Sequence, residues 1–212
     1  MDRSRLAIII PAFNESATIE GVVRAASAYG FPIVVDDGSR DGTAERARVA
    51  GADLVVHQSN RGYDVALDSG FARAAELACT YALTMDADGQ HDPSVLNDFI
   101  RALQCGADVV AGVRDRRQRF AEHLFAVYTD GRWGIKDPLC GLKAYRMDVY
   151  HELGHFDTHR SIGTELLLYA ARRKKRIDQV PVKTRDRLDA PRFGNRLKGN
   201  LRILKGLIRS IP

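Results

Sequence analysis

Short apolar runs that break off into acidic or glycine-rich turns recur along the first half of the chain, and they narrow the architectures open to it. Leu6-Ala-Ile-Ile-Ile10, Phe31-Pro-Ile-Val-Val35, Asp53-Leu-Val-Val56 and Tyr81-Ala-Leu-Thr-Met85 are such runs. Apolar at consecutive positions, they read as strands covered on both faces, the pattern of a parallel sheet. Helical stretches separate them, from Ala17 to Tyr29 ahead of Gly30, from Thr43 to Ala50 ahead of Gly51, and from Tyr63 to Cys79. Ser16 is placed to cap the first. This alternation predicts a single α/β domain with a mostly parallel central sheet and helices on both faces. Beyond Pro93 the spacing predicts a helix to Gln104 and a strand over Asp108–Val113. A basic run, Arg114–Arg119, then leads a helix to Tyr128, with a turn at Asp130-Gly131. A loop and short strand over 137–146, a helix over 161–173 and a strand over 177–182 complete this part.

Each early strand ends in polar residues, which sets Glu15, Asp37, Asp86 and Asp88 along one edge of the sheet. Ligands of open α/β sheets bind at that edge. Side chains two apart on a strand share a side, so Asp86 and Asp88 of Asp86-Ala-Asp-Gly-Gln-His-Asp-Pro93 face one point. Two hard oxygen donors, with Gln90 as a third, suit Mg2+ or Mn2+ better than zinc. Taken alone, the turn reads first as an acidic strand end, with Asp92-Pro93 starting the next helix. No Gly-x-Gly-x-x-Gly follows Ile10 or Val35 and no Walker loop occurs, which weighs against a dinucleotide fold and a P-loop enzyme.

The 45% apolar and 28% charged residues are those of a soluble globular protein. No run of about 18 apolar residues occurs, so no spanning helix is expected, and the opening MDRSRLAIIIPAF lacks the features of a signal peptide. Three cysteines without a Cys-x-x-Cys pair argue against a disulfide framework and favour a cytoplasmic setting. The net charge of +5 is concentrated late: Arg192, Arg196, Lys198, Arg202, Lys205 and Arg209 are unaccompanied by any acid after Ala190. The body is therefore close to neutral, and no nucleic-acid surface is expected. Leu197, Leu201, Leu204, Ile208 and Ile211 recur at helical spacing among these cations. Residues 191–212 accordingly read as a basic amphipathic segment following a domain over 1–190, suited to lie on an anionic membrane.

In order, PAFNE, VVDDGSRDGT, NRGYDVALDSGF, TMDADGQHDP, VAGVRD and DPLCGLKAY resemble the family 2 glycosyltransferases of GT-A fold, above all the dolichyl- and polyprenyl-phosphate sugar transferases. The resemblance implies that Pro11, Phe13, Glu15, Val35 and Asp37 enclose a nucleoside. It further implies that Asp86 and Ala87 line the diphosphate, and that Asp86, Asp88 and Gln90 hold the metal. Arg114, Arg192 and Lys198 match residues that face acceptor phosphate, and Asp137 and Glu165 match acids facing the acceptor. Four positions depart from the pattern, one of them Gly194, which stands two after Arg192 where the family has its glycine three after. Phe13 replaces the usual tyrosine, Asp64 replaces the second glycine of the Asn60 loop, and Leu197 replaces the serine before Lys198. The implied activity is metal-dependent, inverting transfer of a sugar from a nucleotide diphosphate to a polyprenyl phosphate at the cytoplasmic membrane face, with Arg114 facing both phosphates. A sugar hydroxyl as acceptor, which would need Asp137 or Glu165 as base, and a nucleotide-sugar-binding protein without transfer activity are the alternatives. The oligomeric state, homo-oligomer included, stays open.

Overall fold

The computed structural model describes residues 5–116, 119–158, 161–183, 200 and 203–207. Seven strands form one sheet: β1 (Leu6–Ala12), β2 (Phe31–Asp36), β3 (Asp53–Val56), β4 (Tyr81–Thr84), β5 (Val109–Arg114), β6 (Lys143–Arg146) and β7 (Ile177–Val182). Their order is β3-β2-β1-β4-β6-β5-β7. All neighbours pair in parallel except those of β6, which runs antiparallel between β4 and β5. The helices are α1 (Ile19–Ser27), α2 (Thr43–Val49), α3 (Tyr63–Glu76), α4 (Leu96–Gln104), α5 (Phe120–Trp133), α6 (Met147–Leu153) and α7 (Glu165–Arg172).

The continuous apolar runs follow from burial on both faces. Along β1, Leu6, Ile8 and Ile10 join Val22 and Val23 of α1 and Phe99 of α4 in one core. Ala7 and Ile9 face the other, beside Leu67 and Phe71 of α3 and Leu166 and Leu167 of α7. Phe71 anchors that second layer, stacked on Phe156 with centroids 4.5 Å apart.

Three expectations need correction. Ser16 does not cap α1, which begins at Ile19 with Thr18 at its N-cap and no side-chain cap hydrogen bond. No turn occurs at Asp130-Gly131, because α5 runs on to Trp133 and stops at Gly134 with φ of 71°; an exposed helical glycine costs only about 1 kcal/mol. Residues 161–164 do not begin a helix. The buried Asp157 carboxylate accepts from Ser161 N (3.0 Å), Ser161 Oγ (2.5 Å) and Gly163 N (3.0 Å), holding them as a loop ahead of α7.

The C-terminal segment is described only in part. Within Ile203–Leu207, Ile203 is 4% exposed and packs with Ala121 and Phe125 of α5 and Leu168 of α7, joined by Leu204 and Leu207. These side chains face the body of the protein, while Lys205 is exposed. Leu197, Leu201, Ile208 and Ile211 lie outside the described residues.

Candidate active site

The strand order turns back between β1 and β4, so their carboxyl ends open a crevice, the usual ligand position of such sheets. Because β6 runs the other way, its amino end reaches the same edge, with Lys143 opposite Thr84. Phe13, Asp37, Asp86, Arg114 and Lys143 are thereby brought to one rim.

On the β1–β2 side, Pro11 pairs in register with Val35, and the two following loops are tied together. Asn14 N donates to Ser39 Oγ (2.8 Å), Arg40 N to Asn14 Oδ1 (2.9 Å), and Glu15 N to Thr43 Oγ1 (2.8 Å). Phe13 stands out of this frame, 38% exposed. Gly38, at φ of 77°, is required here: a Cβ would fall 2.6 Å from the Ser59 backbone.

Asp37 is buried and accepts three hydrogen bonds. His57 Nδ1 lies 2.7 Å from Oδ1, Arg61 N donates to Oδ1 (2.9 Å), and Gly62 N donates to Oδ2 (2.8 Å). His57 is braced in turn by Ser69 Oγ at 2.9 Å. A carboxylate offers about four lone-pair sites, and among the described residues three hydrogen bonds are made to this one. The neighbouring Asp36 instead accepts from Ser39 N at 3.1 Å. Asp37→Ala is therefore expected to weaken nucleoside diphosphate binding by about 1–3 kcal/mol, and Asp36→Ala to weaken it less. Calorimetry giving equal affinities for wild type and Asp37→Ala would refute this placement.

On the β4 side, Asp86 Oδ1 accepts from Tyr63 Oη at 3.2 Å, and Oδ2 lies 3.5 Å from His91 Nε2. Burial pushes the Asp86 carboxyl up, but His91, Tyr63 and the Lys143 charge outweigh it and hold the group below the ordinary carboxylate value. Gly141 packs flat against it, since a Cβ there would fall 2.3 Å from Asp86 Oδ2. Gly89, at φ of 72°, turns the chain, and Asp88 Oδ1 accepts from Gln90 N at 3.0 Å. Ala87 is buried between the two acids.

Among the described residues no group of three or more His, Cys, Asp and Glu side chains forms a cage. Asp86 and Asp88 with the Gln90 amide are the donors at the turn, and the adjacent His91 Nδ1 is buried without a hydrogen-bond partner among the described residues. One or two carboxylates completed by water and substrate phosphate is how Mg2+ is commonly bound, so these residues fit such an ion.

Arg114 closes β5 and is gripped by Asp137. Its Nε donates to Oδ2 (2.8 Å), its Nη2 to Oδ1 (2.9 Å) and its backbone N to Oδ2 (3.1 Å). Glu122 of α5 adds a contact to Nη2 at 3.4 Å. Burial opposes ionisation of Asp137, yet Arg114 and Lys143 hold its carboxyl below the ordinary value. Glu165 begins α7 with Oε1 2.9 Å from His155 Nε2 and Oε2 accepting from Thr158 N at 2.7 Å. Arg192 and Lys198 lie outside the described residues.

Three residues at the rim escape a reading of the sequence: Tyr63, His57 and Lys143. A lysine flanked by the apolar Leu142, Ala144 and Tyr145 is the available signal.

A mostly parallel sheet with one antiparallel strand and an acidic turn after β4 together define a GT-A-like architecture. The family model for glycosyl transferase family 2 matches residues 7–163. The chain belongs to that family, and it is a glycosyltransferase. It is 30% identical over 197 residues to a dolichyl-phosphate hexose transferase of Haloferax volcanii, covering 86% of this chain and 83% of that one. It is 26% identical over 211 residues to UDP-N-acetylglucosamine–dolichyl-phosphate N-acetylglucosaminyltransferase of Methanococcus voltae, covering 84% of each. In fold it is similar to glucosyl-3-phosphoglycerate synthase of Mycobacterium tuberculosis in complex with Mn2+ and UDP-glucose. There the TM-score is 0.78 at 24% identity, over 99% of this chain and 79% of that one.

Proposed function

We propose that the protein transfers a sugar from a nucleotide diphosphate to a polyprenyl phosphate at the cytoplasmic face of the membrane. The observation that carries this reading is the engagement of both acids matched to the acceptor side. Asp137 gives both carboxylate oxygens to Arg114 and is held ionised, and Glu165 gives both of its own to His155 and Thr158. A sugar hydroxyl needs a base to take its proton. A phosphate acceptor is already largely anionic near neutral pH, with a second pKa of about 6, and needs a cation to orient it. Arg114, fixed by Asp137, supplies one. The named relatives support the same acceptor class.

In this reading Phe13 stacks on the base, Asp37 accepts from it, and Asp86 is oriented by Tyr63 and His91 at the diphosphate. Mg2+ or Mn2+ bound at Asp86, Asp88 and Gln90 would stabilise the charge that develops on the departing diphosphate. Purified protein incubated with Mg2+ or Mn2+ and a panel of nucleotide sugars tests this. Release of one nucleoside diphosphate, stimulated by polyprenyl phosphate, is expected. Tight donor binding with no release on any donor would instead identify a binding protein.

Membrane contact is proposed for α5 together with the segment 203–207 packed against it. No helix among the described residues is long and apolar enough to cross a bilayer. On α5, however, Phe120 (73% exposed), Leu124 and Val127 (71% exposed) are spaced along one outward side of the helix that follows the Arg114 strand. The exposed Lys205 belongs to the segment packed against the same helix. Cations near an anionic surface contribute about 1 kcal/mol each and are screened by salt. The protein should therefore float with anionic vesicles at low salt and be released at high salt. Phe120→Ser combined with Val127→Ser should reduce flotation severalfold; unchanged flotation of the double variant would place the contact elsewhere.

A further inference from the structure

One charge at the rim, among the described residues, has no ion-pair partner within 4.0 Å. Lys143 opens β6 and is 3% exposed, and the one hydrogen bond of its Nζ among the described residues goes to the neutral Gly163 carbonyl, at 3.2 Å. An ammonium carries three donors, and burying one without a counter-ion is costly. Burial indeed pushes Lys143 below its ordinary pKa, against the pull of Cys140, Asp137 and Asp86.

The position of this cation indicates what it faces. Thr84 Oγ1 donates to Gly141 O at 2.6 Å, pinning the start of β6 against β4, and Gly141 itself packs on the Asp86 carboxylate. On the other side Lys143 pairs in register with Ala111 of β5, the strand that ends at Arg114. Lys143 thus lies between the turn assigned to the donor diphosphate and the arginine assigned to the acceptor. We infer that the Lys143 ammonium is a ligand of a substrate phosphate, binding a phosphoryl oxygen through donors that Gly163 leaves unused. This rests on the reading of the Asp86 edge as a diphosphate site. The competing role is a structural counter-charge to Asp86 and Asp137.

Lys143→Met separates the two, because it keeps the length of the side chain and removes the charge. A ligand role predicts an unchanged or higher Tm, since a costly buried charge is gone, with affinity for inorganic pyrophosphate and Mn2+ lowered about ten- to a hundredfold. A structural role predicts a lower Tm with wild-type pyrophosphate affinity in the folded variant, and that result overturns the inference. So does a wild-type protein that binds neither pyrophosphate nor inorganic phosphate. Pyrophosphate needs no base or sugar, so its binding can be lost with Lys143 even if the panel of nucleotide sugars fails. Nucleotide-sugar turnover that persists with unchanged pyrophosphate affinity defeats this inference alone. Which phosphate Lys143 holds is read from the variant's kinetics: a raised KM for the nucleotide sugar marks the donor, and a raised KM for polyprenyl phosphate marks the acceptor.

Discussion

Asp88→Asn is expected to lower kcat about a hundredfold or more while Tm and the circular dichroism spectrum stay at wild-type values. Asparagine can keep the hydrogen bond that Asp88 Oδ1 accepts from Gln90 N, so the turn survives. What is lost is a negative charge at the point where a divalent cation would sit, and metal stabilisation of a leaving group amounts to several kcal/mol, roughly a hundredfold or more in rate. Asp88 lies in a turn, partly exposed, outside either hydrophobic core. Full activity in Asp88→Asn, or turnover undiminished in excess chelator, would contradict metal assistance at this site.

The largest effect on stability is expected at Asp137. Removing one partner of a buried ion pair costs about 3–5 kcal/mol, and the lower end applies here because Arg114 keeps some exposure and a contact to Glu122. Asp137→Asn should therefore destabilise the fold by about 3 kcal/mol in urea at pH 7. The pH dependence follows from the lowered Asp137 pKa. A carboxyl held below its unfolded value of about 3.9 stabilises fully above that value and stops doing so as pH falls through the folded one. The gap between wild type and variant should be flat from about pH 6 to 8 and close only below about pH 4. Equal stabilities at pH 7 would show that Asp137 and Arg114 do not depend on each other.

Much of this is legible in the sequence, for identifiable reasons. A strand covered on both faces must be apolar throughout, so β1, β2 and β4 announce themselves and their polar ends mark the edge of the sheet. The direction of β6 is not legible: Lys-Ala-Tyr-Arg carries no signal that it runs against its neighbours. That reversal is what brings Lys143 to the site. Asp86 and Asp88 stand two apart and can be paired by spacing alone. The partners of Asp37, in contrast, come from the end of β3, the loop at Arg61-Gly62 and, through His57, the middle of α3. Only the folded chain assembles them. At the C-terminal segment, helical spacing identified an apolar stripe, but Ile203, outside that stripe, is the side chain most deeply buried among 203–207.

The central claim is that the acceptor is a phosphate on a lipid, and a matched pair of acceptors tests it. The protein, a labelled nucleotide sugar that it turns over and Mn2+ are incubated with polyprenyl phosphate or with the corresponding neutral polyprenol. Label moving into the organic phase with polyprenyl phosphate and not with polyprenol is the predicted result; equal transfer to both, or transfer to neither, contradicts it.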